Sequence, residues 1–167
     1  MALVLTTKTL LSLGLLASAL AAGFFYAYSV SVMPGLTAAG DPLAAVRAMQ
    51  GINAVIRTPV FAFTFFGALA FPLLAAVAAT AAGLRAVAAL ALADAFAYGL
   101  GVFVVTFTIN VPMNDTLAAV QPTAAEQAGE VWRGYAGPWT AWNHLRTAAS
   151  ILSFALLSAA FMQAFRR

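Results

Sequence analysis

Four runs of apolar residues, each long enough to cross a bilayer as a helix, leave this chain few folds to choose from. A helix needs about 20 such residues to span the hydrocarbon. The runs cover roughly 10–33, 59–82, 86–109 and 138–165. They end near Pro34-Gly35, at Gly83, near Pro112 and at Phe165. Inside a bilayer every backbone amide needs an internal partner, so a span is a helix or a strand of a closed barrel. The runs are unbroken rather than alternating, and rich in Ala and Leu, which selects helices. The reading is an all-α, integral membrane four-helix bundle over residues 1–167, with an amphipathic helix in its first long loop.

Charge supports this. Only 8% of the residues are charged and 63% are hydrophobic, whereas a soluble domain carries about 25% charged residues. Too few charges remain to cover a water-facing surface. The net charge of +3 comes from scattered basic residues, a pattern of membrane topology rather than of nucleic-acid binding. There is no cysteine, which removes disulfides, thiolate metal sites and cysteine nucleophiles. Lys8, the apolar run behind it and Ala19-Leu20-Ala21 loosely resemble a signal peptide. The run continues to Met33, however, which is too long for a signal core.

The connections are unequal. Gly83-Leu84-Arg85 is a tight turn, whereas the other two are long and lie together on the opposite side. Lys8, Arg85, Arg166 and Arg167 mark the short-turn side, with no acid. Arg47, Arg57, Arg133 and Arg146 mark the long-loop side, with Asp41, Asp115, Glu126 and Glu130. The expectation is a cytoplasmic membrane protein with both termini inside. Asp41-Pro42 suits a helix start. It predicts a helix to about Arg57 with Val46, Met49, Asn53 and Ile56 on one face, lying on the membrane or capping the bundle. A second loop helix is predicted over about Thr123–Gly134.

Polar residues are costly in lipid and therefore informative. All four asparagines (Asn53, Asn110, Asn114 and Asn143), the three tryptophans and the lone His144 lie on the long-loop side. An interfacial aromatic belt accounts for tryptophans but not for asparagines. In the fourth span Trp139, Trp142, Asn143, Arg146, Ser150 and Ser153 follow spacings of three and four and form one stripe. Arg146 is expected to face the interior, either as a structural ion pair or as a cation that holds an anionic or carbonyl group. His144 falls off that stripe, and one histidine makes a poor metal site. No metal site is expected. The third span aligns Asp94, Tyr98, Gly101 and Thr108, with Asp94 within reach of the Tyr98 hydroxyl. It reads as a helix–helix contact or as a proton-handling acid. The first span aligns Tyr26, Ser29 and Met33, so that Tyr26 and Ser29 are candidate hydrogen-bonding partners of a ligand.

Four motifs taken together carry a resemblance. They are Tyr26-Ala27-Tyr28-Ser29 through Val32-Met33-Pro34-Gly35-Leu36, Met49-Gln50-x-x-Asn53, Asn110-Val111-Pro112-Met113-Asn114, and Trp139-x-x-Trp142-Asn143-x-x-Arg146. The pattern resembles a family of small four-helix membrane proteins, of largely unknown function, that includes the anthrone oxygenases. The resemblance implies an oxygenase that turns an anthrone-like tricycle into a quinone without an obvious metal or flavin. In that reading Arg146 stabilises an oxyanion, while Asn143, Asn114, Asn110 and Asn53 orient the substrate. Trp139 and Trp142 stack on its rings, and Tyr26 and Ser29 donate hydrogen bonds. His144 is the candidate base, with Asp94 in reserve.

No cofactor is expected, with haem and quinone left open. The expected partners are the bilayer and an apolar small molecule, with room for a homo-oligomer and none for nucleic acid. Two other functions fit the same residues. One is a non-catalytic binder of lipid or quinone, or a partner subunit. The other is a small transporter component, which the fading of the polar stripe after Ser153 disfavours.

Overall fold

The computed structural model describes residues 1–166. Arg167, one of the charges used to orient the chain, lies outside the described residues. Five helices make up the fold: α1 (Ala2–Ala38), α2 (Pro42–Val55), α3 (Pro59–Ala81), α4 (Arg85–Ala119) and α5 (Ala125–Phe165). All but α2 are long and apolar enough to cross a membrane. The protein is an all-α membrane bundle.

The long helices form a ring in which α1 packs between α3 and α5, and α4 closes the ring against the same two helices. Neighbours run antiparallel. Gly14 of α1 approaches Phe71 of α3, while Gly67 of α3 approaches Ala17 further along α1. Capping defines the shorter elements. Asp41 Oδ1 accepts from the Ala44 amide at 3.0 Å and starts α2, and Thr58 Oγ1 accepts from the Phe61 amide at 3.2 Å and starts α3. Gly40 and Gly83 take positive φ (72° and 74°) and stop α1 and α3.

Three helices outrun the predicted spans. Prolines that bound the predicted spans lie inside continuous helix: Pro34 and Pro112, read as stops, in α1 and α4, and Pro138, read as a start, in α5. The predicted loop helix over 123–134 is the first part of α5. In α1 and α4 the reason is π-helical backbone just before the proline. Tyr28–Val32 precedes Pro34, and Gly99–Val104 and Thr106–Asn110 precede Pro112. A π turn shifts the carbonyl pattern by one residue, which is how membrane helices accommodate a residue lacking an N–H.

The lengths divide the molecule. α3 has 23 residues, close to one bilayer crossing, whereas α1, α4 and α5 have 37, 35 and 41. The three longer helices therefore rise past the start of α3 on the long-loop side. There α2 packs on α5 and α4 and completes a cap built around Tyr28, Met33, Val46, Met49, Leu117, Trp132, Tyr135 and Trp139. Gln50 Nε2 donates to the carbonyls of Leu117 and Val120 at 2.8 and 2.9 Å, tying α2 to the end of α4. At the other end the core is small-residue packing of Leu11, Ala75, Ala79, Ala88, Ala91, Leu157 and Ala160.

Candidate functional site

Where α3 begins and its taller neighbours rise past it, a cavity of about 750 Å³ opens, within the size range of small-molecule sites. Phe24, Phe25, Tyr28, Phe61, Phe65, Phe66, Phe107 and Trp139 supply aromatic walls. Arg146 and Thr106 lie on one side, and Arg57, Thr58 and Asp115 lie at the rim. Asn53 of α2 and Ile56 just past its end reach it from above, so the apolar face predicted for the loop helix caps the bundle.

Arg146 is the dominant charge. It is 5% exposed. Its Nη2 donates to Asn143 Oδ1 at 2.9 Å and its Nη1 to Thr106 Oγ1 at 3.3 Å, while Nε has no partner. The guanidinium lies over the Phe25 and Trp139 rings at 4.7 and 5.0 Å, cation–π contacts that partly offset burial of the charge. Among the described residues the one carboxylate–cation pair is Arg57–Asp115 at 3.8 Å, on exposed side chains. Arg146 thus has neutral partners only. A buried charge without a counter-ion is costly, so the cavity carries a standing preference for an anion or a developing oxyanion.

Asn143 fixes that guanidinium. Its Nδ2 donates to the Phe25 carbonyl and to Ser29 Oγ, both at 2.8 Å. Thr147 Oγ1 donates to the Asn143 carbonyl at 2.9 Å and lies 3.0 Å from Ser29 Oγ. The donors therefore run one way round a closed ring, from Asn143 to Ser29, to Thr147 and back to the Asn143 backbone. The ring forms where α1 turns π-helical, and the Phe25 carbonyl shares the Tyr28 amide with Phe24.

A second network aims Trp139. Its indole Nε1 and the Tyr135 hydroxyl both donate to Asn114 Oδ1 at 2.8 Å. Asn110 Nδ2 donates to the Trp139 carbonyl at 3.4 Å, and Asn110 Oδ1 is buried without a partner. Asn53 Nδ2 is a further buried donor without a partner.

The sequence-predicted residues divide accordingly. Arg146, Trp139, Asn114 and Asn53 line the cavity, and Asn143, Ser29 and Asn110 hold those residues in place. Three do not belong. Tyr26 is 53% exposed, because it stands about 100° round the helix from the inward Phe25. Trp142 is 39% exposed, likewise one residue from the inward Asn143. His144 is exposed beside it and lines no part of the cavity. Tyr26 and Trp142 sit where interfacial aromatics belong.

Asp94 is buried but accepts from Ser153 Oγ rather than Tyr98, whose hydroxyl donates to the Phe65 carbonyl at 3.1 Å. Tyr98 follows Asp94 by one turn on α4, but its ring points across to α3. Thr108 is exposed and bonds back to the Val104 carbonyl. Sequence reasoning missed Phe25, Tyr28, Thr106 and Asp115. The first two were findable, since Leu11, Gly14, Ser18, Ala21, Phe25 and Tyr28 follow the spacing of a buried face. Among the described residues no three His, Asp or Glu side chains gather as a metal site.

Comparison with known proteins gives one family: a model described as anthrone oxygenase matches residues 59–156. No curated protein and no solved structure matches.

Proposed function

The chain belongs to the anthrone oxygenase family, and from that premise we propose that it oxidises a flat, apolar phenolic or polycyclic substrate with dioxygen in the Arg146 cavity. The observation that carries this reading is the buried, rigidly held guanidinium with no counter-ion, set among aromatic walls.

The proposed chemistry uses this cation. An anthrone-like substrate loses a proton from its activated methylene, and the resulting negative charge collects on the ring oxygen. Arg146, itself buried beside the aromatic walls, stabilises that oxyanion. The electron-rich carbon then takes up dioxygen, and the peroxide regains a proton and loses water to give the quinone carbonyl. The substrate gains one oxygen atom and loses two hydrogens, and the second oxygen atom leaves as water.

His144 does not line the cavity, so this reading looks elsewhere for the base. Asp115 is the one carboxylate among the cavity-lining residues and takes that role here. It stands nine residues beyond Thr106 on α4, about 13 Å along the axis. This reading turns the substrate's oxygen toward Arg146 and its methylene toward Asp115. The charge distribution supports placing both termini on the cytoplasmic side, with the cavity at the opposite face.

The test uses protein purified in mild detergent. Its absorbance spectrum reports any bound haem or quinone, and oxygen uptake is followed with a simple anthrone. Arg146→Met keeps side-chain bulk and removes the charge, and is expected to lower turnover by about 100-fold or more while the protein stays folded. Uptake unchanged in Arg146→Met overturns the oxyanion role. A wild-type protein that takes up no oxygen but carries a quinone or lipid would instead be a binder.

A further inference from the structure

The cavity has a second boundary besides its rim, and it faces the bilayer. α3 packs along the Arg85–Tyr98 stretch of α4, whereas the π-helical stretches Gly99–Val104 and Thr106–Asn110 turn to α5. The backbones of α3 and α4 therefore part toward the long-loop side. Phenylalanine rings fill the gap. Phe65 meets Phe103 and Phe107 at centroid distances of 5.6 and 5.9 Å, and Phe66 meets Phe103 at 6.0 Å.

Two of these rings serve both surfaces. Phe66 continues the exposed, lipid-facing stripe of Phe63, Leu73, Leu74 and Val77 on α3. Phe107 continues that of Phe96, Leu100 and Val104 on α4. Phe66 is 50% exposed and Phe107 46%, yet both line the cavity. Phe103 stands between them and meets both, at 6.0 Å from Phe66 and 4.8 Å from Phe107. This wall contains no hydrogen bond and no ion pair, and a phenylalanine turns about two bonds. By contrast, the rim carries the Arg57–Asp115 pair.

We propose that the α3–α4 gap is a lateral portal, with Phe66 and Phe107 as its leaves, through which a flat aromatic molecule dissolved in the bilayer enters the cavity. The inference rests on the reading of the cavity as a small-molecule site and names how its ligand arrives. A lipid-dissolved polycycle is already oriented edge-on between acyl chains, and a slot between two helices lined by phenylalanines admits a flat shape. A charged or hydrated molecule does not pass, so the site selects substrates that are neutral until they meet Arg146.

The natural absence of cysteine makes the test clean. In a Trp132→Phe, Trp142→Phe background, Trp139 alone reports the cavity. The protein is placed in phosphatidylcholine vesicles, and quenching by anthraquinone is followed by stopped flow. Phe66→Cys is plugged with benzyl methanethiosulfonate and released with dithiothreitol, and Thr58→Cys is plugged in the same way at the rim. The plug at residue 66 is expected to slow quenching by about tenfold or more, reversibly, with the plug at 58 nearly silent. Phe107→Cys serves as an independent second leaf. Slowed entry from the rim plug alone, or no slowing by either portal plug, overturns the portal. Binding is read without turnover, so quenching in a protein that takes up no oxygen removes the oxygenase reading and leaves the portal standing.

Discussion

The two ends of the bundle solve the same packing problem in opposite ways. At the short-turn end the helices meet through Ala75, Ala79, Ala88, Ala91 and Ala160, with Leu11 and Leu157 between them. Small residues let backbones approach closely, and close approach is the main source of cohesion available inside lipid. At the long-loop end α3 falls short of its neighbours, three stretches of α1 and α4 are π-helical, and aromatic rings hold the helices apart around a cavity. One end is built for cohesion. The other holds a cation whose partners are all neutral, a cost to stability that its cation–π contacts offset only in part. The difference suggests that the alanine-rich end supplies the stability that the cavity end gives up.

Asn143→Ala attacks the cavity end hardest without touching its charge. It removes one of the two acceptors of Arg146 and breaks the ring through Ser29 and Thr147. Leaving such buried groups unsatisfied costs about 1–3 kcal/mol, read as a lower melting temperature in detergent. A guanidinium displaced by about 1 Å is expected to lose between ~10-fold and ~100-fold in oxygen uptake. Loss of stability with uptake intact would make the ring mere scaffolding and erase the contrast between the ends.

How far each end was legible follows from this contrast. The short-turn end obeys simple rules: an apolar run of the right length, a glycine with positive φ at the turn, small residues at the contacts. Span number and the all-helical class are therefore legible directly, and at the opposite end only the start of the loop helix at Asp41 is as plain. The cavity end breaks those rules. Pro34 and Pro112 read as stops because π backbone leaves no signature in residue periodicity, so the helices came out short. The stripe through Asn143 and Arg146 was visible at spacings of three and four, yet Trp142 was counted on it although it stands 100° from Asn143. Asn143 to Ser29 and Phe25, and Arg146 to Thr106, are contacts between distant helices that one sequence does not encode locally. Asp115 reads in the sequence only as a loop charge, since nothing in its neighbours shows that the end of α4 leans over a cavity.

The same substitution placed at both ends sharpens the comparison further. A methyl group at Gly101 would lie 2.3 Å from Ala149 Cβ, on the helix turn just below Arg146. Because Ala149 has no rotamer to yield, α4 and α5 must separate. Gly101→Ala should cost about 1–3 kcal/mol by overpacking and weaken the Thr106–Arg146 bond. At Gly14, in the cohesive end, the nearest atom is Leu157 Cδ2 at 3.0 Å, the far end of a side chain that can rotate. Gly14→Ala should therefore lower the melting temperature less than Gly101→Ala does. The reverse order would mean that the alanine-rich end is the more tightly strained of the two.

The smallest effect is expected at the residue whose chemistry is most suggestive. His144 has an ionisable ring, follows Asn143 in the chain and precedes Arg146 by two residues, so the family resemblance offers it as the candidate base although it falls off the polar stripe. Helical geometry carries it about 100° round from Asn143, onto the outer face with Trp142 and Leu145. From there its ring meets no cavity-lining atom. His144→Ala should leave melting temperature and oxygen uptake nearly unchanged, since exposed substitutions away from special contacts stay within about 0.5 kcal/mol. A large loss of uptake in this variant would require a proton path that crosses the wall of α5. It would move the reactive edge of the substrate from the Asp115 side of the cavity to the opposite side.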